Sequence, residues 1–238
     1  MDHLHRKSWL MIANGDGMPT SRLHRWDKHL IWAIDGGANW CYDHEIVPTV
    51  ISGDFDSIRH PHHWGIQAKH PSNDGSIVYP GAHGTTIMFT GDQNHTDTHK
   101  ALTLACQLHA TSLVLAHAVG HRMDHTLHHL ELMREFYHPH RPLVTLSRDF
   151  DMRMVKQQRV RITNQQGAQF ACFGAPKATI TSSGLAYDMH HYTVEWGQSS
   201  SVSNRVASCE TEVNVDGSAL ILLSPHGQQN SDVSVENF

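Results

Sequence analysis

Trp9 to Ala13, Leu30 to Ile34, Thr49 to Ile51 and Leu113 to Ala116 are short, nearly continuous apolar runs. A strand with one wet face alternates apolar and polar residues, so unbroken runs belong to strands covered on both faces, the condition of a parallel sheet. The first three runs end in Asn14-Gly15-Asp16-Gly17, Asp35-Gly36-Gly37-Ala38-Asn39 and Ser52-Gly53-Asp54-Phe55-Asp56-Ser57. Ligands of open α/β sheets sit at these carboxyl ends, so the chemistry is to be sought there.

Helix-like segments separate the runs. From Thr96 as N-cap, Ala101, Leu104, Ala105 and Leu108 fall on one face, and Leu127, Leu130 and Met133 do the same further on. The alternation holds to about residue 140. Beyond Pro142 come Thr-, Val- and Ser-rich runs such as Ala178 to Thr181, Tyr192 to Trp196 and Ala219 to Leu223, broken by Gly and Asn turns, which read as antiparallel strands. A chain of 238 residues has room for two domains. The expected division is an α/β domain with a mainly parallel sheet at 1–142 and a smaller antiparallel β domain at 143–238. The polar stretch after Pro225 is expected to be loosely ordered.

The formal net charge is -5 with His neutral and no basic block occurs, so no nucleic-acid partner is expected. No run approaches the roughly 20 apolar residues of a membrane span, and the start of the chain lacks the apolar core of a secretory signal, which points to the cytoplasm. Cys41, Cys106, Cys172 and Cys209 form no CxxC pair, against a zinc ribbon or a dithiol redox site. The 23 His include His60, His62 and His63, a cluster able to catch adventitious metal.

Acids recur at the strand-to-helix junctions. Asp54 and Asp56 flank Phe55 at alternate positions and can face one cation; magnesium takes a few carboxylate oxygens together with phosphate and water. Asp97 enters a helix in its first turn with Lys100 on the same side. Gly120-His121-Arg122-Met123-Asp124-His125 offers a guanidinium for phosphate beside another carboxylate. Gathering Asp54, Asp56, Asp97 and Asp124 at one sheet edge costs Coulomb repulsion that a metal-phosphate ligand relieves.

With these residues in view the sequence resembles the thiamine pyrophosphokinase family over nearly its whole length. The resemblance rests on ordered blocks: Asp35 to Asn39, Ser52 to Ser57, Asp92-Gln93 with Thr96-Asp97 and Lys100-Ala101-Leu102, then Gly120, Arg122, Asp124-His125 and Leu127. Ser182-Ser183-Gly184-Leu185 and Ser201-Val202-Ser203-Asn204 look like the family's substrate-side motifs. It implies an ATP-binding α/β catalytic domain, a thiamine-binding β-sandwich domain, and a homodimer whose sites lie at the interface.

The resemblance also implies that Asp54, Asp56 and Asp97 hold Mg²⁺, with Arg122 and Asp124 completing the catalytic set. Asp35, Asn39, Gln93, Lys100 and His125 would border ATP, and Ser203 and Asn204 would contact thiamine, with Trp196 and Tyr187 as aromatic candidates for its cationic rings. Two departures stand out: His121 replaces a usual glycine before Arg122, and His129 stands where an asparagine is frequent. The expected reaction is diphosphate transfer from ATP to the hydroxyl of thiamine, with Asp124 or Asp97 taking the hydroxyl proton. Diphosphate transfer to another primary alcohol such as a hydroxymethylpterin, a nucleotide or thiamine sensor, and a His-rich metal binder are the alternatives.

Overall fold

The computed structural model describes residues 2–67, 76–225 and 232–237. The chain divides into two units, one running to Phe136 with His140–Arg148, the other comprising Tyr137–Pro139 and the chain from Asp149 onward.

In the first unit, strands β1 (Ser8–Ile12), β2 (Leu30–Ile34), β3 (Val50–Gly53), β4 (Ser76–Pro80), β5 (Thr86–Thr90), β6 (Ser112–Ala116) and β7 (Leu143–Leu146) lie in the order β7-β6-β1-β2-β3-β5-β4. The pairings of β1 with β2 and β6, β2 with β3, β3 with β5 and β6 with β7 are parallel. The edge strand β4 runs antiparallel on β5. All four residues of β3 and of β7 are buried, which accounts for the apolar run that leads into β3, whereas β7, with Thr145 inside it, is not among the runs that mark this sheet in the sequence. Because β7 pairs with β6, the first unit extends past the boundary expected at 142.

Strand order reverses at β1, whose neighbours are β2 on one side and β6 on the other. At such a switch point the loops that follow the two strands part and leave a crevice at their carboxyl ends. Helix α1 (Gly37–Asp43) begins hard against this edge: a Cβ on Gly37 would lie 1.9 Å from the carbonyl oxygen of Ile12, so only glycine fits.

Helix α2 (Asp97–Gln107) starts as the sequence predicts, with the Thr96 hydroxyl accepting from the His99 N–H at 3.3 Å. Its buried face carries Lys100, Ala101, Leu102 and Ala105, so Leu102 takes the place expected of Leu104. Helix α3 (Met123–Glu135) departs further from expectation. Leu127 is 52% exposed, and the inner face is formed by His129, Leu132 and Met133. The imidazole enters the core with its Nε2 2.8 Å from the Thr145 hydroxyl on β7 and its Nδ1 without a hydrogen-bond partner, and apolar periodicity does not register a polar core residue.

The second unit is antiparallel. Strands β8 (Asp151–Thr163), β9 (Gln169–Ser183), β10 (Tyr192–Glu195), β11 (Ser200–Arg205), β12 (Glu210–Leu223) and β13 (Asp232–Asn237) make it up. β12 pairs with both β8 and β9, β10 and β11 add to the far edge of β9, and β13 adds to β8. Along β12 the residues Val213, Val215, Ala219, Ile221 and Leu223 enter one core with Phe170 and Ile180 of β9; the register shift between Val215 and Ser218 falls where the inward residues of β8 change parity, between Val155 and Val160. Of the stretch after Pro225 expected to be loosely ordered, 226–231 lies outside the described residues and 232–237 forms β13.

Candidate active site

A cavity of about 410 Å³ opens at the carboxyl ends of the parallel strands, lined by Asn14 and Gly15 after β1, Asp35 after β2, Asp56 after β3, Asp97 at the start of α2, and His117, Arg122 and His125 around the end of β6. Several residues at or beside the cavity have backbone in the left-handed region: φ is +43° at Asp35, +69° at Phe55, +57° at His117 and +58° at His121. Such conformations cost free energy in non-glycine residues and persist where surrounding contacts over-determine them, as at ligand sites.

The carboxylate oxygens of Asp35, Asp54 and Asp56 lie within 4.8 Å of one another. Their turn is fastened locally: the Asp56 N–H donates to Asp54 Oδ1 at 3.4 Å, the Ser57 hydroxyl to Asp56 Oδ1 at 2.8 Å, and Gln93 Nε2 to Asp54 Oδ2 at 3.3 Å. Asp35 is 7% exposed, and its Oδ1 is buried without a hydrogen-bond partner. Burial pushes its carboxyl up to about 6; Gly36 and Ser57 oppose this through hydrogen bonds, while Asp97 and Asp56 add repulsion. Three hard oxygen donors, one of them orphaned, fit a divalent cation that prefers oxygen. The trio is not the one read from the sequence: Asp35 stands in it, and Asp97 does not.

Asp97 instead pairs with the ammonium of Lys100 at 2.7 Å. Lys100 is buried and also donates to the carbonyls of Thr90 and Asp92, each at 3.1 Å. Burial raises the Asp97 carboxyl, with Lys100 pulling against it. Lys100 therefore ties the end of β5 to the first turn of α2 and reaches the cavity only through Asp97. Asp124 is exposed and engaged by Arg122, whose Nε donates to Oδ1 at 3.1 Å and whose hydrogen bonding holds that carboxyl down to about 2.

Asn39 lies on α1, where its Nδ2 donates to the Ser57 carbonyl and its Oδ1 accepts from the Arg59 N–H, both at 2.8 Å. It staples the Asp54-to-Ser57 turn from behind. In the second unit, Asn204 is buried, with Oδ1 accepting from the backbone N–H of Tyr187 at 3.1 Å and of Arg205 at 2.8 Å, and Nδ2 donating to the Tyr187 carbonyl at 2.8 Å. Both acceptor positions of its amide are used internally, so Asn204 shapes the Tyr187 turn. Ser203 is exposed at φ +60° in the irregular part of β11, and Tyr187 and Trp196 are 75% and 63% exposed. Sequence reading passed over His117, although it follows the run Leu113 to Ala116 just as Asp35 follows Leu30 to Ile34.

The family model "Thiamin pyrophosphokinase, catalytic domain" matches residues 23–145, and "Thiamin pyrophosphokinase, vitamin B1 binding domain" matches residues 158–222. The chain is 24% identical to thiamine pyrophosphokinase 3 of Oryza sativa subsp. japonica, over 87% of this chain and 83% of that protein. It is 27% identical to thiamine pyrophosphokinase 1 of Arabidopsis thaliana, over 91% of this chain and 86% of that protein. Among solved structures, thiamin pyrophosphokinase from Candida albicans superposes with a TM-score of 0.73 at 18% identity, covering 94% of this chain and 90% of that one, a likeness of fold. Since the catalytic-domain model alone covers more than half of the sequence and the vitamin B1 binding domain follows it in order, the chain belongs to the thiamin pyrophosphokinase family.

Proposed function

We propose that this protein transfers the terminal diphosphate of ATP to the hydroxyl of thiamine, giving thiamine diphosphate and AMP. The observation that carries the reading is the convergence of Asp35, Asp54 and Asp56 within 4.8 Å beside a cavity that Asp97 and Arg122 also line. Membership of the family favours thiamine over a pterin alcohol or a sensing role.

Asp54, Asp56 and Asp35 would hold Mg²⁺, which when bound neutralises phosphate charge and polarises the phosphoryl oxygens. The remaining work falls to side chains. Arg122 exchanges Asp124 for phosphate oxygens, which it can meet in the same bidentate manner. The thiamine oxygen attacks the β-phosphorus, the bond from that phosphorus to the bridging oxygen of the α-phosphate breaks, and AMP leaves with the bridging oxygen. Asp97 is the better proton acceptor, because burial raises its carboxyl whereas Arg122 depresses that of Asp124.

The second unit supplies the vitamin side. Its long strands feed alternate residues into one core, which supports the β-sandwich reading, and the exposed rings of Tyr187 and Trp196 with the Ser203 hydroxyl suit a flat cation. We read the working form as a cytoplasmic homodimer whose sites draw on both copies. The test is AMP release from Mg-ATP with and without thiamine, with Asp54→Ala alongside. Thiamine-dependent AMP that disappears in the variant supports the reading; ADP as product overturns it.

A further inference from the structure

His117 lies directly after β6 at the switch point, 3% exposed, on the wall of the cavity. Its backbone carbonyl accepts from the Gly15 N–H at 2.6 Å, and its Nδ1 lies 2.9 Å from the Asp16 carbonyl oxygen. A carbonyl only accepts, so Nδ1 carries the proton and the tautomer is fixed. The imidazole packs against Trp40 of α1, with ring centroids 5.1 Å apart, which limits its freedom to turn. Asp16 in turn abuts Gly120, where an added Cβ would fall 2.4 Å from Asp16 Oδ2. The loop after β1 is thereby closed onto the loop that leads to Arg122.

We infer that His117 is a positioning residue for the nucleotide: its Nδ1–H clamps the Asn14-to-Asp16 loop and so sets one wall of the ATP cavity, in a role separate from the carboxylate trio. The inference rests on the proposed ATP-dependent activity. It predicts an effect on ATP affinity that leaves chemistry and the vitamin side alone, because the clamp's hydrogen bonds join His117 to Gly15 and Asp16 and none involves Asp35, Asp54, Asp56 or Asp97. It also depends on a donor at the δ position. Asparagine places Nδ2 at the same number of bonds from Cα and tolerates positive φ, whereas glycine relieves the backbone at φ +57° but donates nothing.

The experiment measures KM for Mg-ATP, KM for thiamine and kcat in the wild type, His117→Asn and His117→Gly. The expected result is KM for Mg-ATP raised roughly tenfold in His117→Gly, the value of one lost hydrogen bond, with kcat and the thiamine KM within about twofold, and near wild-type values in His117→Asn. Wild-type KM in His117→Gly, or equal losses in both variants, would overturn the inference; so would parallel rises in both KM values. If His117→Gly does not fold, His117→Asp, which has the same shape as the asparagine variant but offers an acceptor to a carbonyl, replaces it with the same expected outcome. Should the wild type release no thiamine-dependent AMP, the activity reading fails on its own, and calorimetric Mg-ATP binding by the three proteins still decides whether the clamp acts.

Discussion

Lys100 Nζ lies 2.7 Å from Asp97 Oδ1 and spends its other hydrogen bonds on the carbonyls of Thr90 and Asp92, so one buried cation holds both the end of β5 and the first turn of α2. Removing one member of such a pair strands the other charge, whereas neutralising both removes the cost together with the gain. Lys100→Met is therefore expected to lose roughly 3 kcal/mol of stability, and Lys100→Met combined with Asp97→Asn to recover a large part of it. Urea denaturation of the two variants checks this. A double variant no more stable than the single one would show that Lys100 acts through the carbonyls.

Asp35 sets a pH dependence of opposite sign to that of an ordinary surface carboxylate. Its carboxyl is pushed from 3.8 to about 6 by burial, so the folded state holds the proton more tightly than the unfolded chain. Its contribution to stability is then full below pH 3.8 and is lost as pH rises to about 6, by at most about 3 kcal/mol. Asp35→Asn is expected to be the more stable protein at pH 8 in a chelator, with the gap closing toward pH 4. Mg²⁺ should shrink the gap at pH 8 by stabilising the wild type alone. A gap independent of pH would sink the argument.

Much of the first unit was legible because strands covered on both faces leave an unmistakable trace, and Leu30 to Ile34 is β2 residue for residue. Asp35, Asp54 and Asp56 were legible for a related reason, since each follows such a run, whereas Asp97 was legible from its place in the first turn of a helix. Which acids converge was not: Asp35 and Asp54 follow different strands, and the β2–β3 pairing brings them together, while Asp97 pairs with Lys100. The same limit applies to amides. Asn39 and Asn204 stand in motifs that suggest substrate contact, yet both spend their hydrogen bonds on neighbouring backbone, a choice decided by turns that sequence spacing does not encode.

His129 makes the converse pH prediction. Burial holds its imidazole down to about 4, against 6.5 when free, so the unfolded chain binds the proton more readily. The contribution is full above pH 6.5 and is lost as pH falls toward 4, by about 3 kcal/mol. His129→Leu with Thr145→Val removes the titrating group without stranding the threonine hydroxyl. Guanidinium midpoints of this double variant should fall less than those of the wild type between pH 7 and pH 4.

Asn204 separates the roles of the two units. Its side chain binds the backbone of Tyr187 on both sides, and the Tyr187 ring is 75% exposed. Truncation in Asn204→Ala leaves three part-buried backbone groups without their side-chain partner, at about 1 kcal/mol or more. The expected consequence is a stability loss of that size together with a raised KM for thiamine and an unchanged KM for Mg-ATP. Tyr187→Ala should raise the thiamine KM without the stability loss, because its ring lies in solvent. If Asn204→Ala raised the thiamine KM while Tyr187→Ala left it unchanged, Asn204 would have to touch the vitamin through its one remaining N–H, and the structural role assigned to it would be wrong.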